Sequence, residues 1–140
     1  MVALRAQCAR LPWRYLCDQS TELDGQVIHG SPWTPTFFDW AFMRDDPDLA
    51  ERWELIPAQV DVLVTHGPPR GFGDRSDRDT SEGSATLLER LQRLERLRLH
   101  VYGHIHEDPG QWALGNATLA NVTVVDADYR LTHPARVFDL

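Results

Sequence analysis

The sequence contains no lysine, few cysteines and no long hydrophobic run. All 14 of its basic residues are arginine, and the 21 acidic residues outnumber them, so the formal net charge is −7. A chain this acidic lacks the basic surface with which a nucleic-acid-binding protein displaces counterions from phosphates. We therefore expect no general nucleic-acid binding. The net charge leaves small phosphate substrates open, because a bound metal can reverse the local field.

The scarcity of cysteine and of apolar runs also bears on location. Cys8 and Cys17 form no CxxC motif, and a secreted disulfide framework needs more than two cysteines. The sequence has no run of about 18 apolar residues, and residues 1–14 lack the apolar segment of a secretory signal. These absences predict a cytoplasmic protein with two reduced thiols and no membrane association.

Length and composition predict a single domain over residues 1–140. Hydrophobic residues make up 42% of the chain and charged residues 25%, close to the average of globular proteins. A chain of this length can bury a core of its own. We find no internal repeat and no linker that would divide it.

Hydrophobic patterning predicts strands that alternate with helices. Strands are expected over residues 13–17, 26–29, 60–65, 99–102, 119–125 and 135–138. A turn at Asp24 and Gly25 is expected to join the first two as a hairpin. One helix is expected from Asp46, as N-cap, to near Pro57, and a second helix after an N-cap at Ser84. The alternation predicts an α/β fold.

Two segments lack a regular pattern. Residues 36–44 are rich in aromatic side chains and are predicted to form either a short helix or a packed loop. Residues 70–83 are polar and glycine-rich, which predicts a long surface loop. Long loops of this kind in small domains are often functional.

Three of the six histidines follow predicted strands and stand beside glycine. His66 comes directly after the strand at residues 60–65, and His104 and His106 follow the strand at residues 99–102. Ligands of α/β sheets bind beyond the carboxyl ends of the strands, so we expect these imidazoles to converge. In extended chain, residues two apart point to the same side. Neutral imidazole is the commonest metal-binding side chain, which predicts a metal site here.

Structural roles compete with this interpretation. A single histidine after a strand is usually a surface or hydrogen-bonded residue, and we expect that role for His29, His100 and His133. The neighbouring acids Glu107 and Asp108 are expected to orient a metal-binding ring by hydrogen bonding.

Several motifs occur in a fixed order along the chain: residues 30–35 (GSPWTP), 40–42 (WAF), 61–69 (DVLVTHGPP), Gly71, Asp74, residues 102–107 (YGHIHE) and 121–123 (NVT). In these motifs the sequence resembles the C-terminal part of calcineurin-like metallophosphoesterases. It is most similar to the branch of brain-type metallophosphoesterase-domain proteins and their bacterial relatives. The resemblance covers nearly all of the chain after about Trp13.

The resemblance implies a fold and a chemistry. The fold would be a partial four-layer α/β/β/α sandwich that lacks its N-terminal strands. The reaction would be hydrolysis of a phosphomonoester or phosphodiester by two divalent metals, which polarise the ester and bind the attacking hydroxide. By similarity, His66 and His104 bind one metal and His106 binds the other. The metals would be manganese, iron, zinc or nickel. The substrate would be a small phosphate ester, with a nucleotide suggested by analogy to the branch.

The sequence also departs from the family. The family's Asp-x-His, Gly-Asp and Gly-Asn-His-Asp/Glu motifs, which precede the matched part, do not occur in these 140 residues. With them are missing the bridging carboxylate, the asparagine ligand and the acid that protonates the leaving group. Three imidazoles bring no negative charge to offset the repulsion between two metals about 3.5–4 Å apart. We therefore expect the chain alone to be a poor catalyst.

Three alternatives follow from the departure. The chain belongs to a metallophosphoesterase whose other ligands lie elsewhere, or it is an inactive remnant that binds metal weakly or serves as an interaction module. A single zinc held by His66, His104 and His106 is the third. Without the upstream strands we also expect exposed sheet edges and an open apolar face, through which copies of the chain associate.

Overall fold

A β-hairpin begins the sheet. The computed structural model describes residues 13–140, and in it β1 (Gln19–Leu23) pairs antiparallel with β2 (Gln26–Ser31). Asp24 and Gly25 between them have φ of 50° and 79°, the left-handed backbone that a two-residue hairpin turn requires. The predicted turn is confirmed, but the predicted strand over residues 13–17 is wrong. Strand β1 is mostly polar, so its position follows from the turn at Asp24 and Gly25 and not from a hydrophobic pattern.

Four further strands extend the hairpin into a six-stranded sheet. They are β5 (Val62–Thr65), β6 (Leu99–Tyr102), β7 (Gly110–Leu114) and β8 (Ala117–Asn121). The order across the sheet is β1-β2-β5-β6-β8-β7, with β2, β5, β6 and β8 parallel and the two outer strands antiparallel to their neighbours. The mixed α/β class predicted from the sequence is confirmed.

The C-terminal part of the sheet differs from the prediction. The strand expected over residues 119–125 ends at Asn121 and pairs with β7, which the pattern analysis missed. Gly110 weakens the strand signal of β7 in the sequence. Glycine suits this position because an added Cβ would lie 2.6 Å from the ring of Trp112. Residues 135–138, predicted as a strand, are irregular.

The aromatic segment at residues 36–42 is a packed loop and not a helix. Two short parallel strands, β3 (Thr34–Pro35) and β4 (Met43–Arg44), close its ends. The backbone N–H of Thr34 also donates to the carbonyl oxygen of Phe42 at 3.1 Å. The structure thus decides between the two alternatives that the sequence left open.

Two helices are present in the described part of the chain. Helix α1 (Asp46–Trp53) has Asp45 and not Asp46 as its N-cap, and it ends before Pro57. Helix α2 (Ala85–Leu91) has the predicted N-cap, because the Ser84 hydroxyl accepts a hydrogen bond from the backbone N–H of Leu87. The Asp46 carboxylate is used elsewhere: it accepts from the N–H groups of residues 85 and 86 and so ties α1 to the start of α2.

The core lies between these helices and one face of the sheet. Its members are Leu49, Trp53, Ile56, Val60, Leu63, Leu87, Leu91, Leu94, Leu97, Tyr102, Ala117 and Leu119. Side chains alternate along a strand, so Val64 points to the other face, where it is 41% exposed in the middle of the sheet. Cys17 is buried, whereas Cys8 lies outside the described residues. Neither described helix is long and apolar enough to cross a bilayer.

Candidate metal centre

A cavity of about 410 Å³ lies beyond the carboxyl ends of β5 and β6. The three predicted histidines, His66, His104 and His106, all line it, and we call it the histidine cavity. The loop at residues 70–83 adds Ser76, Asp77, Arg78 and Glu82, and aromatic residues Phe37, Trp40 and Tyr129 complete much of the wall. Parallel strands place the residues that follow them at one edge of the sheet, which is why distant segments meet here.

The turn that carries His66 contacts the turn that carries His104. Their ring centroids are 4.5 Å apart, with a 45° angle between the planes. The N–H of Gly103 donates to the carbonyl oxygen of His66 at 3.1 Å, so the two turns are joined through the backbone. A Cβ at Gly67 would lie 2.3 Å from Oγ1 of Thr34. The backbone at Gly67 is therefore packed closely against the Thr34 side chain.

His104 and His106 reach the cavity by a different route from the one predicted. Strand β6 ends at Tyr102, so the pair does not lie on extended chain. His104 has φ of 71°, a left-handed conformation that is uncommon outside glycine. The N–H of Ile105 then donates to the Gly103 carbonyl at 2.9 Å. This tight turn, and not strand alternation, brings both rings to the histidine cavity.

A partner missed by the sequence analysis orients His106. Its Nδ1 lies 3.1 Å from the backbone carbonyl oxygen of Asp126, and the Tyr129 ring stands perpendicular to it with centroids 5.1 Å apart. A carbonyl only accepts, so Nδ1 donates this hydrogen bond, and in the neutral form of the ring the lone pair is on Nε2. The carboxylate of Asp108, for which we expected such a role, accepts a hydrogen bond from the backbone N–H of Arg75. A contact spanning 20 residues leaves no signal in local sequence.

Burial keeps two of the imidazoles neutral. It lowers the pKa of His66, and the neighbouring His106 lowers it further. Burial likewise lowers the pKa of His104 to about 4, with His66 and His106 adding to the shift and Glu82 opposing it. At neutral pH both rings are therefore unprotonated, which is the state in which imidazole binds a metal.

One wall of the histidine cavity is aromatic. The ring of Phe37 packs edge-on against Phe38 and Trp40, with centroids 4.5 and 5.6 Å apart, and lies 6.4 Å from the His104 ring. Phe38 is 68% exposed and Trp40 is 53% exposed. Large apolar side chains left in solvent beside a cavity are typical of a binding surface. The sequence showed this aromatic cluster but gave it no role.

The residues present do not complete a metal site by themselves. Within residues 13–140, no three His, Cys, Asp or Glu side chains are grouped closely enough to hold a metal ion. The three imidazoles line one cavity, but they supply no negative charge for two divalent ions. Metal binding by His66, His104 and His106 stays a prediction, and we derive no reaction step through a metal.

The other histidines lie away from the cavity. His29 and His100 are buried in the sheet, where His29 pairs with the Ser20 hydroxyl and His100 with the Thr65 hydroxyl. The backbone N–H of His133, in the C-terminal tail, donates to the carbonyl of Val124. None of the three lines the histidine cavity.

Known proteins are similar in sequence to this chain over most of its length. Human metallophosphoesterase domain-containing protein 1 is 43% identical over 128 residues, which is 90% of this chain. The chain is a homologue of the metallophosphoesterase-domain proteins. The resemblance inferred from the motifs is thus confirmed. A UPF0046 protein of Caenorhabditis elegans is 39% identical over 127 residues, again 90% of this chain.

The homology is partial on the side of the relatives. This metallophosphoesterase-domain homologue spans 39% of the human protein and 32% of the nematode protein. A solved structure shares the fold with a TM-score of 0.61 at 22% sequence identity, covering 86% of this chain and 49% of that one. No protein-family model matches the chain.

Proposed function

We propose that this chain carries the histidine side of a two-metal phosphoesterase site that hydrolyses small phosphomonoesters or phosphodiesters. One observation carries the proposal: in a homologue of metallophosphoesterase-domain proteins, the three histidines of the family motifs line a single cavity. His66 and His104 would bind one divalent metal and His106 the other. Manganese, iron, zinc and nickel all suit imidazole ligands.

The surroundings of the histidines support a phosphate-ester substrate. Arg78 lines the same cavity and offers a guanidinium, which binds phosphate oxygens well. The rings of Phe37, Trp40 and Tyr129 line the same cavity, and aromatic rings suit a planar organic group on the ester, such as a nucleobase.

The remaining ligands would come from outside the described residues. Among residues 13–140, no three His, Cys, Asp or Glu side chains are grouped closely enough to hold a metal ion, so further ligands are needed for two metals. Val64 is 41% exposed at the centre of the sheet, where the second sheet of a four-layer sandwich would pack. A segment that covers this face would also stand next to the histidine cavity, because His66 follows Val64 by two residues.

A chimaera tests this proposal. The matched 128 residues of the human relative are replaced by residues of this chain, and hydrolysis of bis-p-nitrophenyl phosphate is measured with Mn²⁺. We expect the chimaera to turn over substrate and the 140-residue chain alone to do so poorly or not at all. His66→Ala, His104→Ala and His106→Ala should each abolish turnover by the chimaera. His133→Ala, which lies outside the cavity, should retain it.

Two results would count against the proposal. An inactive chimaera, tested beside an active human protein, would favour an inactive remnant that binds metal weakly or serves as an interaction module. Strong turnover by the isolated chain that is lost in His106→Ala would show that the missing groups are supplied from within it.

A further inference from the structure

Asn121, the last residue of β8, is fully buried, and both N–H groups and the oxygen of its side-chain amide form hydrogen bonds. Its Nδ2 donates to the carbonyl oxygen of Ile105 at 2.7 Å and to that of Gly73 at 3.0 Å. Its Oδ1 accepts from the backbone N–H of Thr123 at 3.1 Å. Carbonyls only accept and an N–H only donates, so these partners allow one orientation of the amide.

The two carbonyls belong to the two segments that build the histidine cavity. Ile105 lies between His104 and His106, in the turn where His104 has φ of 71°. A non-glycine residue keeps this conformation only where its surroundings hold it. The hydrogen bond from Asn121 is made to the middle of that turn. It therefore acts on both histidines through the backbone.

Gly73 lies near the start of the loop at residues 70–83. A Cβ there would lie 2.6 Å from the Trp112 ring and 2.9 Å from the Cβ of Asn121, so this backbone is packed against β7 and β8. Beyond Gly73 the chain continues to Asp77 and Arg78 in the cavity wall. One amide thus connects the histidine turn to the loop that supplies the polar wall.

We propose that Asn121 is a positioning residue of the site. Its amide fixes the position of the His104–His106 turn relative to the start of the 70–83 loop. It acts through the carbonyls of Ile105 and Gly73. The inference rests on the proposed function only in one respect, which is that the histidines are taken to be metal ligands. Both tests below use the metal-free chain, so their failure and the failure of the proposed hydrolysis are separate results.

The first test compares two asparagines in the wild-type protein. Asn116 is exposed in the turn between β7 and β8, five residues before Asn121. The side-chain amide protons of Asn121 should exchange with solvent at least about 100-fold more slowly than those of Asn116, since exchange needs an opening of the structure. Equal exchange rates would overturn the proposal.

The second test separates positioning from stability. Asn121→Ala is compared with Leu119→Ala, which removes a fully buried side chain two residues earlier on the same face of β8. We measure the nuclear Overhauser effect between the His66 and His104 rings above about pH 7.5, where both are neutral. Asn121→Ala should lose this signal and shift the amide resonances of residues 73–75 and 104–106. Leu119→Ala should retain the signal.

A merely structural role predicts a different outcome. Retention of the ring contact in Asn121→Ala, or its equal loss in both variants, would overturn the proposal. If neither alanine variant folds, the exchange rates of Asn121 and Asn116 in the wild-type protein decide the question alone.

Discussion

Acid should destabilise this protein through His100, a fully buried histidine beneath the site. Its Nε2 lies 2.8 Å from Oγ1 of Thr65, and that hydroxyl donates its proton to the carbonyl of Gly67 at 2.7 Å. The hydroxyl must therefore accept from His100, so Nε2 carries the proton and Nδ1 holds the lone pair. Nδ1 has no hydrogen-bond partner among residues 13–140. Protonation there would place an unpaired charge in the core.

The size of the effect follows from the pKa. Burial lowers the pKa of His100 from 6.5 to about 3. The unfolded chain takes up a proton below pH 6.5, whereas the folded protein excludes it until about pH 3. The unfolded state thus binds more protons in this window, and the free energy of unfolding falls as the pH falls. From pH 7 to pH 4 the expected loss is about 3 kcal/mol, of which about 2 kcal/mol is lost by pH 5.

Urea denaturation followed by tryptophan fluorescence measures this loss at pH 7, 6, 5 and 4. The variant His100→Gln keeps an N–H that can donate to Thr65 but does not titrate. Its free energy of unfolding should fall by about 3 kcal/mol less than that of the wild type over this range. Contributions from carboxylates occur in both proteins and cancel in the difference. His133→Gln, in the irregular tail, is the matched control for removal of a histidine. Parallel pH curves for wild type and His100→Gln would refute the reasoning.

Three further predictions concern the packing of Gly73, the hydrogen bonds of Asp46 and the open face of the sheet. Gly73→Ala should lower the free energy of unfolding, measured by urea denaturation, by about 2–4 kcal/mol, because φ is 66° and the Trp112 ring leaves no room for a Cβ. Gly71→Ala, where φ is also positive but the space is open, should lower it by about 1 kcal/mol. Equal losses in the two variants would contradict the packing argument. Asp46→Ala should lower the free energy of unfolding by about 2–3 kcal/mol, because N–H groups at the start of α2 lose their acceptor. Asp46→Asn keeps an oxygen acceptor and should lower it less. No loss in Asp46→Ala would show that water replaces the carboxylate. Sedimentation at micromolar concentration should show self-association that Val64→Glu weakens, and a wild-type monomer would contradict an adhesive open face.

The local sequence determined the elements whose signals lie within a few residues. Ser84 caps α2 because its own hydroxyl reaches an N–H three residues on, and such contacts can be inferred from spacing alone. The apolar run of β5 and the turn at Asp24 and Gly25 are likewise local features. The junctions of strand, glycine and histidine indicated His66 and His104, and the motif order indicated the homologous family.

The tertiary structure decided how those residues are held. Asp46 was expected to cap its own helix, but the packing of the two helices brings its carboxylate to the start of α2, where it accepts a hydrogen bond from a backbone N–H. His106 takes its orientation from a carbonyl 20 residues away, and the turn that bears His104 and His106 is held by Asn121. Each of these contacts joins segments that are adjacent only after the sheet has formed. Hydrophobic periodicity reports which face of an element is buried, but it carries no information on which distant polar group that face will meet.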